Sequence, residues 1–392
     1  MRFCVSVCEF DPFHIGHQKL IDEMKARGDA VIIIMSGNFC QRGEIAVLDK
    51  YARARHAVLA GADAVFELPT VFATAPAEIF AKGAIKLLSS LAGEKLLVFG
   101  AENGERDGFL RAAKALCSET KEFKKVLKEQ LKSGVPFAKA RETAVEKTCE
   151  DVDSSLLSSP NSVLGLEYTK AVISCGSDMD ICPIRREGSF CDDALGEGYP
   201  SALAIRNAIG SGKKKKAKGY VPPFVYDDLP DKLPDLDTAA IYAALAAKKS
   251  DMKNIVDCTE GLENRIKAVS RGVRTFSELI DKLETRRYTR ARLSRVVLSN
   301  MLGVDRGLVE RSLKSDLYLK VLAVSSERKD LLSLCGGKTP LLTRKADADK
   351  LTGASKECFM KDVFACDVYS LLTGAKMNEY DMKIVNVDRG SK

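Results

Sequence analysis

The stretch Phe3-Cys4-Val5-Ser6-Val7-Cys8-Glu9-Phe10-Asp11-Pro12-Phe13-His14-Ile15-Gly16-His17 decides how this chain is read. Residues 3–9, rich in Val and Cys and closed by Asp-Pro, predict a strand. Residues 16–27 predict a helix, with Leu20, Ile21 and Met24 on one stripe. The chain holds three histidines, and two of them, His14 and His17, stand where that strand gives way to that helix; the third is His56. Outward from this junction, Val31-Ile32-Ile33-Ile34-Met35 is a continuous apolar run suited to a strand buried on both faces. Residues 49–60 then read as a helix, 64–68 as a strand stopped by Pro69, 77–91 as a helix and 95–100 as a strand. Strands alternating with helices of about a dozen residues predict an α/β domain with a parallel sheet and right-handed crossovers.

Beyond it, 105–149 reads as helices rich in Lys and Glu, 161–174 as a helix introduced by Ser158-Ser159-Pro160, and 180–185 as a last strand. A helix over 201–209 takes Ser201 as its N-cap. Residues 210–234 hold Gly, a run of Lys, Pro222-Pro223, Pro230 and Pro234, and read as a linker. Residues 236–300 are mostly helical, and from about 317 short apolar runs mix with helices. The expected organisation is therefore a nucleotide-binding-type domain over 1–210, a basic, Pro-containing linker over 211–235 and a mainly helical region over 236–392.

The chain has 392 residues, 45% of them hydrophobic and 29% charged, as in soluble proteins with a substantial core. No apolar run approaches the ~18 residues of a membrane span, and the N-terminus does not read as a signal peptide. The 12 cysteines are scattered without a C-x-x-C pair, which predicts free thiols and a reducing, cytoplasmic setting. The net charge of +7 concentrates in two places. One is Lys213, Lys214, Lys215 and Lys216 with Lys218. The other is Arg286, Arg287, Arg290, Arg292 and Arg295, where a helix would stack Arg286 on Arg290. Each reads either as a solvated face or as a contact for a polyanion.

At the first junction, a helix start offers N–H groups and a positive dipole end to a phosphate, and ligands of open parallel sheets bind at the carboxyl ends of strands. Gly16 lets a ligand approach the backbone, and His14 and His17 can donate to phosphate oxygens. Structural histidines and a zinc pair are the other readings, but no third His or nearby Cys completes a metal set. No Walker A loop, G-x-G-x-x-G or EF-hand loop is present.

H-I-G-H after a first strand resembles the HIGH-type nucleotidyltransferase superfamily. Within it the chain resembles the bacterial tRNA(Met) cytidine acetate ligase family. The likeness runs from D-P-F-H-I-G-H through Ser36-Gly37-Asn38-Phe39-Cys40-Gln41-Arg42-Gly43-Glu44, Asp49-Lys50, Glu67-Leu68-Pro69 and Phe99-Gly100-Ala101-Glu102. It continues through Pro160-Asn161, Leu164-Gly165-Leu166-Glu167-Tyr168, Arg186-Glu187-Gly188, Ser201-Ala202 to Ile205-Arg206, Glu260-Gly261-Leu262-Glu263-Asn264-Arg265 and Arg286-Arg287-Tyr288-Thr289. Four positions depart from the family pattern: Ile15 stands for a second Asn and returns the string to H-I-G-H, Ala101 stands for the more usual Ser, and the other two change the charge and hydroxyls of the site. Asp11 stands for Asn, bringing a charge that calls for a cationic partner beside phosphates. Leu203 stands for Thr and removes a hydroxyl.

The resemblance implies a Rossmann-like HIGH nucleotidyltransferase domain followed by a helical, tRNA-contacting region. It also implies synthesis of acetylcytidine at the wobble position of elongator tRNA(Met) from acetate and ATP, through acetyl-adenylate, with Mg²⁺ accompanying ATP. His14 and His17 then meet the α- and β-phosphates. Val7, Cys8, Glu9, Phe10, Asp11, Pro12, Phe13, Ile15 and Gly16 surround the nucleotide, with Ser36, Gly100, Asn161, Arg185, Arg186, Ser201 and Arg206. Residues 41–44 form a loop suited to closing over the adenylate. The two basic clusters face RNA. A metabolite adenylyltransferase and a tRNA-binding protein without catalysis are the rival readings; oligomeric state is open.

Overall fold

Arg2–Cys8 (β1) is the hub of the sheet, pairing in parallel with Ala30–Ser36 (β2) on one side and Glu94–Ala101 (β4) on the other. The computed structural model describes residues 1–102, 105–185, 195, 199–335, 339–381 and 384–390. Side chains alternate across the sheet as the two-residue period of a strand requires. Phe3, Val5, Ile32 and Ile34 enter the core on one face, and Cys4, Cys8, Val31, Ile33 and Met35 the core on the other. With helices on both faces, every residue of β2 is buried.

Ala64–Leu68 (β3) pairs in parallel with β2, and Asp180–Arg185 (β5) in parallel with β4. Leu319–Ser325 (β6) runs antiparallel to β3, and Leu341–Leu342 (β7) and Val385–Val387 (β8) each run parallel to β6. Among the described residues the sheet order is β8-β6-β3-β2-β1-β4-β5, with β7 also on β6. From β1 the chain builds outward through β2 and β3, then returns to the opposite side for β4 and β5. The strand order therefore reverses beside β1, the crevice where open α/β sheets bind ligands.

The helices that matter to this crevice are Ile15–Lys25 (α1), Lys50–Leu59 (α2), Ala77–Ser89 (α3), Pro160–Ser174 (α4), Ala202–Gly210 (α5), Arg290–Leu302 (α6) and Gly353–Thr373 (α7). Asp49 caps α2 by accepting from the Tyr51 and Ala52 N–H groups at 2.8 and 2.9 Å, and Ser201 caps α5 by accepting from Ala204 N–H at 3.0 Å. No helix among the described residues is long and apolar enough to cross a membrane.

Three features differ from the sequence reading. The sheet is mixed, because a strand from beyond residue 236 completes it. Leu-Lys-Val-Leu-Ala-Val-Ser is buried along its whole length, and such a run has no periodicity to announce a partner. Second, residues 211–235 lie against the α1–α2 face, with Ala217, Val221, Val225 and Leu229 in its core. Third, the chain over 286–289 is not helical; α6 starts at Arg290 behind the N-cap Thr289. Tyr288 is buried there, and the Thr285 hydroxyl accepts from its N–H at 3.1 Å, so Arg286 and Arg290 do not stack.

A cluster of buried charges ties the late strands to the early ones. Lys50, at the start of α2, and Lys320, in β6, both pair with Glu67 of β3 and with Glu379. All four are nearly solvent-free, at most 2% exposed. Burial pushes the Glu67 carboxyl up, but the ammoniums of Lys320 and Lys50 more than offset it and leave it below the usual carboxylate value. Asp362 of α7 accepts from Thr70 N–H at 2.7 Å and from the Tyr318 hydroxyl.

Candidate active site

A cleft of about 580 Å³ opens at the carboxyl end of β1, between α1, α4 and α5. That volume lies within the ~300–1,000 Å³ of small-molecule sites. His14 is the N-cap of α1; its Nδ1 accepts from Gly16 N–H at 3.0 Å. The His17 Nδ1 accepts from His14 N–H at 3.3 Å. The two rings stack with centroids 3.7 Å apart, and Phe10 and Phe13 hold His17 from behind at 5.0 and 5.6 Å. With each Nδ1 an acceptor, the ring proton sits on Nε2. Both imidazoles line the cleft and present Nε2–H as a donor.

The first turn of α1 does not offer bare N–H groups, as its sequence suggests. Ile15 N–H donates to the Tyr220 carbonyl at 3.0 Å, Gly16 N–H to the His14 ring, and His17 N–H to the His14 carbonyl at 2.8 Å. Anion contacts here fall to side chains. Gly16 also makes room within the protein: a Cβ there would lie 2.9 Å from His14 Cε1. Its bareness accommodates the imidazole.

Asp11 finds the cationic partner its charge requires. Its carboxylate accepts from Val47 N–H at 2.7 Å and stands 3.8 Å from the Arg206 guanidinium, which also donates to the Asp11 carbonyl at 2.7 Å. Arg206 reaches Glu44 as well, at 2.9 Å, so it bridges the histidine loop to the segment 41–44. Glu9 ends β1. Its Oε1 accepts from the Ser36 hydroxyl at 3.1 Å and from Gln41 N–H at 2.7 Å. Burial raises the Glu9 carboxyl above its usual value; Gln41 N–H pulls it back and the Asp11 charge adds to the rise.

The sequence-derived residues divide as follows. Val7, Cys8, Glu9, Phe10 and Asp11 line the cleft with Gly16 and the histidines. Gly100, Asn161, Arg185, Ser201 and Arg206 line its other walls. Asn161 spends its side-chain amide on Glu102, at 2.8 Å. Pro12, Phe13, Ile15 and Ser36 are not among the lining residues; Phe13 and Ser36 support His17 and Glu9 from behind. Arg186 lies outside the described residues. Of the basic clusters, Lys213, Lys215 and Lys216 are exposed, while Lys214 bonds Asp231 at 3.1 Å. Arg286 and Arg287 are exposed. Arg290 pairs with Asp281, Arg292 donates to the Asp257 carbonyl at 2.8 Å, and Arg295 lies 3.5 Å from the Asp257 carboxylate.

Sequence reasoning missed several participants. Lys19 lines the cleft, its ammonium 5.3 Å from the centre of the Tyr199 ring; its i+3 spacing from Gly16 was the available signal. Gln41 and Arg42, in the 41–44 loop that the sequence did single out, line it too. Arg53 is fully buried and donates to three backbone carbonyls, Leu48 at 2.9 Å, Glu9 at 2.6 Å and Gly37, pinning the ends of β1 and β2. The loop holding Gln41 and Arg42 rests on α6. Gly43 has φ +78, and a Cβ there would lie 2.5 Å from Arg295 N. Ala291 of α6 reaches the cleft wall.

Known proteins resemble this chain in sequence and fold. The HIGH Nucleotidyl Transferase family model matches residues 1–383. The tRNA(Met) cytidine acetate ligase of Thermoanaerobacter sp. (strain X514) is 34% identical over 379 residues, covering 93% of this chain and 94% of that protein. The protein of that name from Caldanaerobacter subterraneus subsp. tengcongensis is 36% identical over 380 residues, with the same coverage. Among solved structures, the crystal structure of Thermotoga maritima TmcAL bound with alpha-thio ATP has a TM-score of 0.88 at 27% identity, covering 99% of this chain and 100% of that one. Its apo form gives 0.90 at 26% identity over the same shares. A likeness that spans both the sheet and the helical region cannot be owed to the HIGH domain alone, and the chain belongs to the tRNA(Met) cytidine acetate ligase family of HIGH nucleotidyl transferases.

Proposed function

We propose that this protein is an ATP-dependent ligase that acetylates the wobble cytidine of elongator tRNA(Met), with acetyl-adenylate as the intermediate. The observation that carries this reading is the pair of stacked Nε2–H imidazoles at the sheet's reversal point, in a chain that matches such ligases over 93% of its length. Acetate is ionised at neutral pH and needs no base. Its oxygen bonds to the α-phosphorus, the bond to the bridging oxygen breaks, and pyrophosphate leaves. His14 and His17 donate to the phosphates as charge builds, and Lys19 adds a positive charge on the same helix. Arg185, Ser201 and Asn161 take the other nucleotide contacts, and Arg206 orients the histidine loop through Asp11. The cytidine amine then attacks the acetyl carbon and AMP departs.

Magnesium enters as the counter-ion of ATP. Among the described residues no group of three or more His, Cys, Asp or Glu side chains could hold a metal, and the cleft carboxylates of Asp11 and Glu44 already face Arg206. We assign tRNA to the side of the cleft marked by Ala291, next to the exposed Arg286 and Arg287, with Lys213, Lys215 and Lys216 as a second contact. The part of 236–392 before β6 serves RNA in this reading. Free thiols at the described cysteines and a tRNA substrate fit the cytoplasm.

Incubation with ATP, acetate and tRNA tests this. The expected result is acetate-dependent pyrophosphate release, and acetylcytidine in the tRNA nucleosides by mass spectrometry. Pyrophosphate release with a phosphorylated metabolite but not with acetate would overturn it, as would salt-sensitive tRNA binding without turnover.

A further inference from the structure

Resting on that function, the second half-reaction raises a need the first does not have. When the exocyclic amine of cytidine bonds to the acetyl carbon, its nitrogen becomes cationic. Unless a proton leaves, the intermediate expels the amine again. A proton acceptor must therefore face the cleft.

Most titratable groups there are unsuited. His14 and His17 accept at Nδ1 and carry their proton on Nε2, so they donate. Burial holds the thiols neutral, pushing Cys8 up to about 12 and Cys40 well above its usual value. Burial does the same to the Tyr168 hydroxyl, which the neighbouring Cys8 and Glu9 push further. Lys19, Arg42, Arg185 and Arg206 are cations, and the Tyr199 ring packs under the Lys19 ammonium. Asp11 is committed to Val47 N–H and Arg206, and Glu44 to Arg206. Glu9 remains.

We propose that Glu9 is the catalytic base of acetyl transfer. Its Oε2 takes the proton from the cytidine nitrogen as the N–C bond forms. The C–O bond to the phosphate then breaks, AMP leaves with that electron pair, and Glu9 returns the proton to water. The geometry suits the task. Both donors to this side chain, Ser36 Oγ and Gln41 N–H, converge on Oε1, which fixes the carboxylate and keeps Oε2 for the ligand. The charges around it are Asp11 and Glu44, both raising its proton affinity, with Arg206 behind Asp11 and the Arg53 guanidinium on its carbonyl. A carboxylate raised in this way is a stronger base near neutral pH.

Glu9→Gln keeps the shape and an acceptor for both anchors. In this variant single-turnover transfer to tRNA should fall about 100-fold or more beyond any loss in acetate-dependent exchange of labelled pyrophosphate into ATP. Wild-type transfer should rise with pH through an apparent pKa above that of a free carboxylate, and Glu9→Gln should lose that limb. Ser36→Ala removes one anchor and should move the limb to higher pH; it decides the matter if Glu9→Gln fails to fold. Equal loss of exchange and transfer, unimpaired transfer, or a limb that Ser36→Ala leaves in place would each overturn the assignment. Wild-type protein lacking acetate-dependent exchange would instead sink the ligase reading itself.

Discussion

A single missing methyl group sets the histidine pair. Gly16 sits in regular helix, where alanine is otherwise favourable, so Gly16→Ala acts on the His14 ring alone. Displacing that ring by a fraction of an ångström should lower pyrophosphate exchange about 10- to 100-fold, with little change in the thermal midpoint. Exchange within twofold of wild type would refute the steric account. The motif itself was legible, because two of three histidines bracket one strand end. Its hydrogen bonding was not, since the partner of Ile15 is the carbonyl of Tyr220, far along the chain. Arg53 was equally hidden. On an amphipathic helix it looks like a surface cation, and only the folded rim supplies the Leu48, Glu9 and Gly37 carbonyls that take its protons.

Among the elements, α6 joins the two halves of the chemistry. It carries Ala291 at the cleft wall and supports the Gly43 turn, while the residues just before it hold the two exposed arginines. The five-arginine cluster looked uniformly basic in sequence; the structure shows three of the five engaged by Asp281 and Asp257 and Arg287 3.8 Å from the Glu260 carboxylate, with Arg286 and Arg287 both exposed. Replacing both with Gln should weaken tRNA binding and reduce the slope of log affinity against log salt by roughly 2, while exchange of pyrophosphate into ATP persists. Filter binding at several salt concentrations checks it, and an unchanged slope would contradict the RNA assignment. The helix boundary was misjudged for a local reason: Thr285 forms a turn with Tyr288, and no 3.6-residue pattern records that.

Across the whole molecule, the Lys50, Glu67, Lys320 and Glu379 cluster holds early and late strands together. Removing one partner leaves a buried charge uncompensated, so Lys320→Met should lower the unfolding free energy by about 3–5 kcal/mol. Combined with Glu379→Gln, the two changes should be non-additive by ~1 kcal/mol or more; additive denaturation midpoints would contradict a shared cluster. The first five strands and their parallel sense were legible, being short apolar runs spaced by helices, but not their order across the sheet. The late strand was not, because Lys320 interrupts its apolar run, and nothing local reveals that Glu67 and Glu379 neutralise it. The same topology governs synthesis on the ribosome. Until β6 emerges, β3 stands as an open apolar edge, ready to pair with another nascent chain. Ribosomes that stall before residue 319 would therefore leave a product prone to aggregate, however intact its histidine loop.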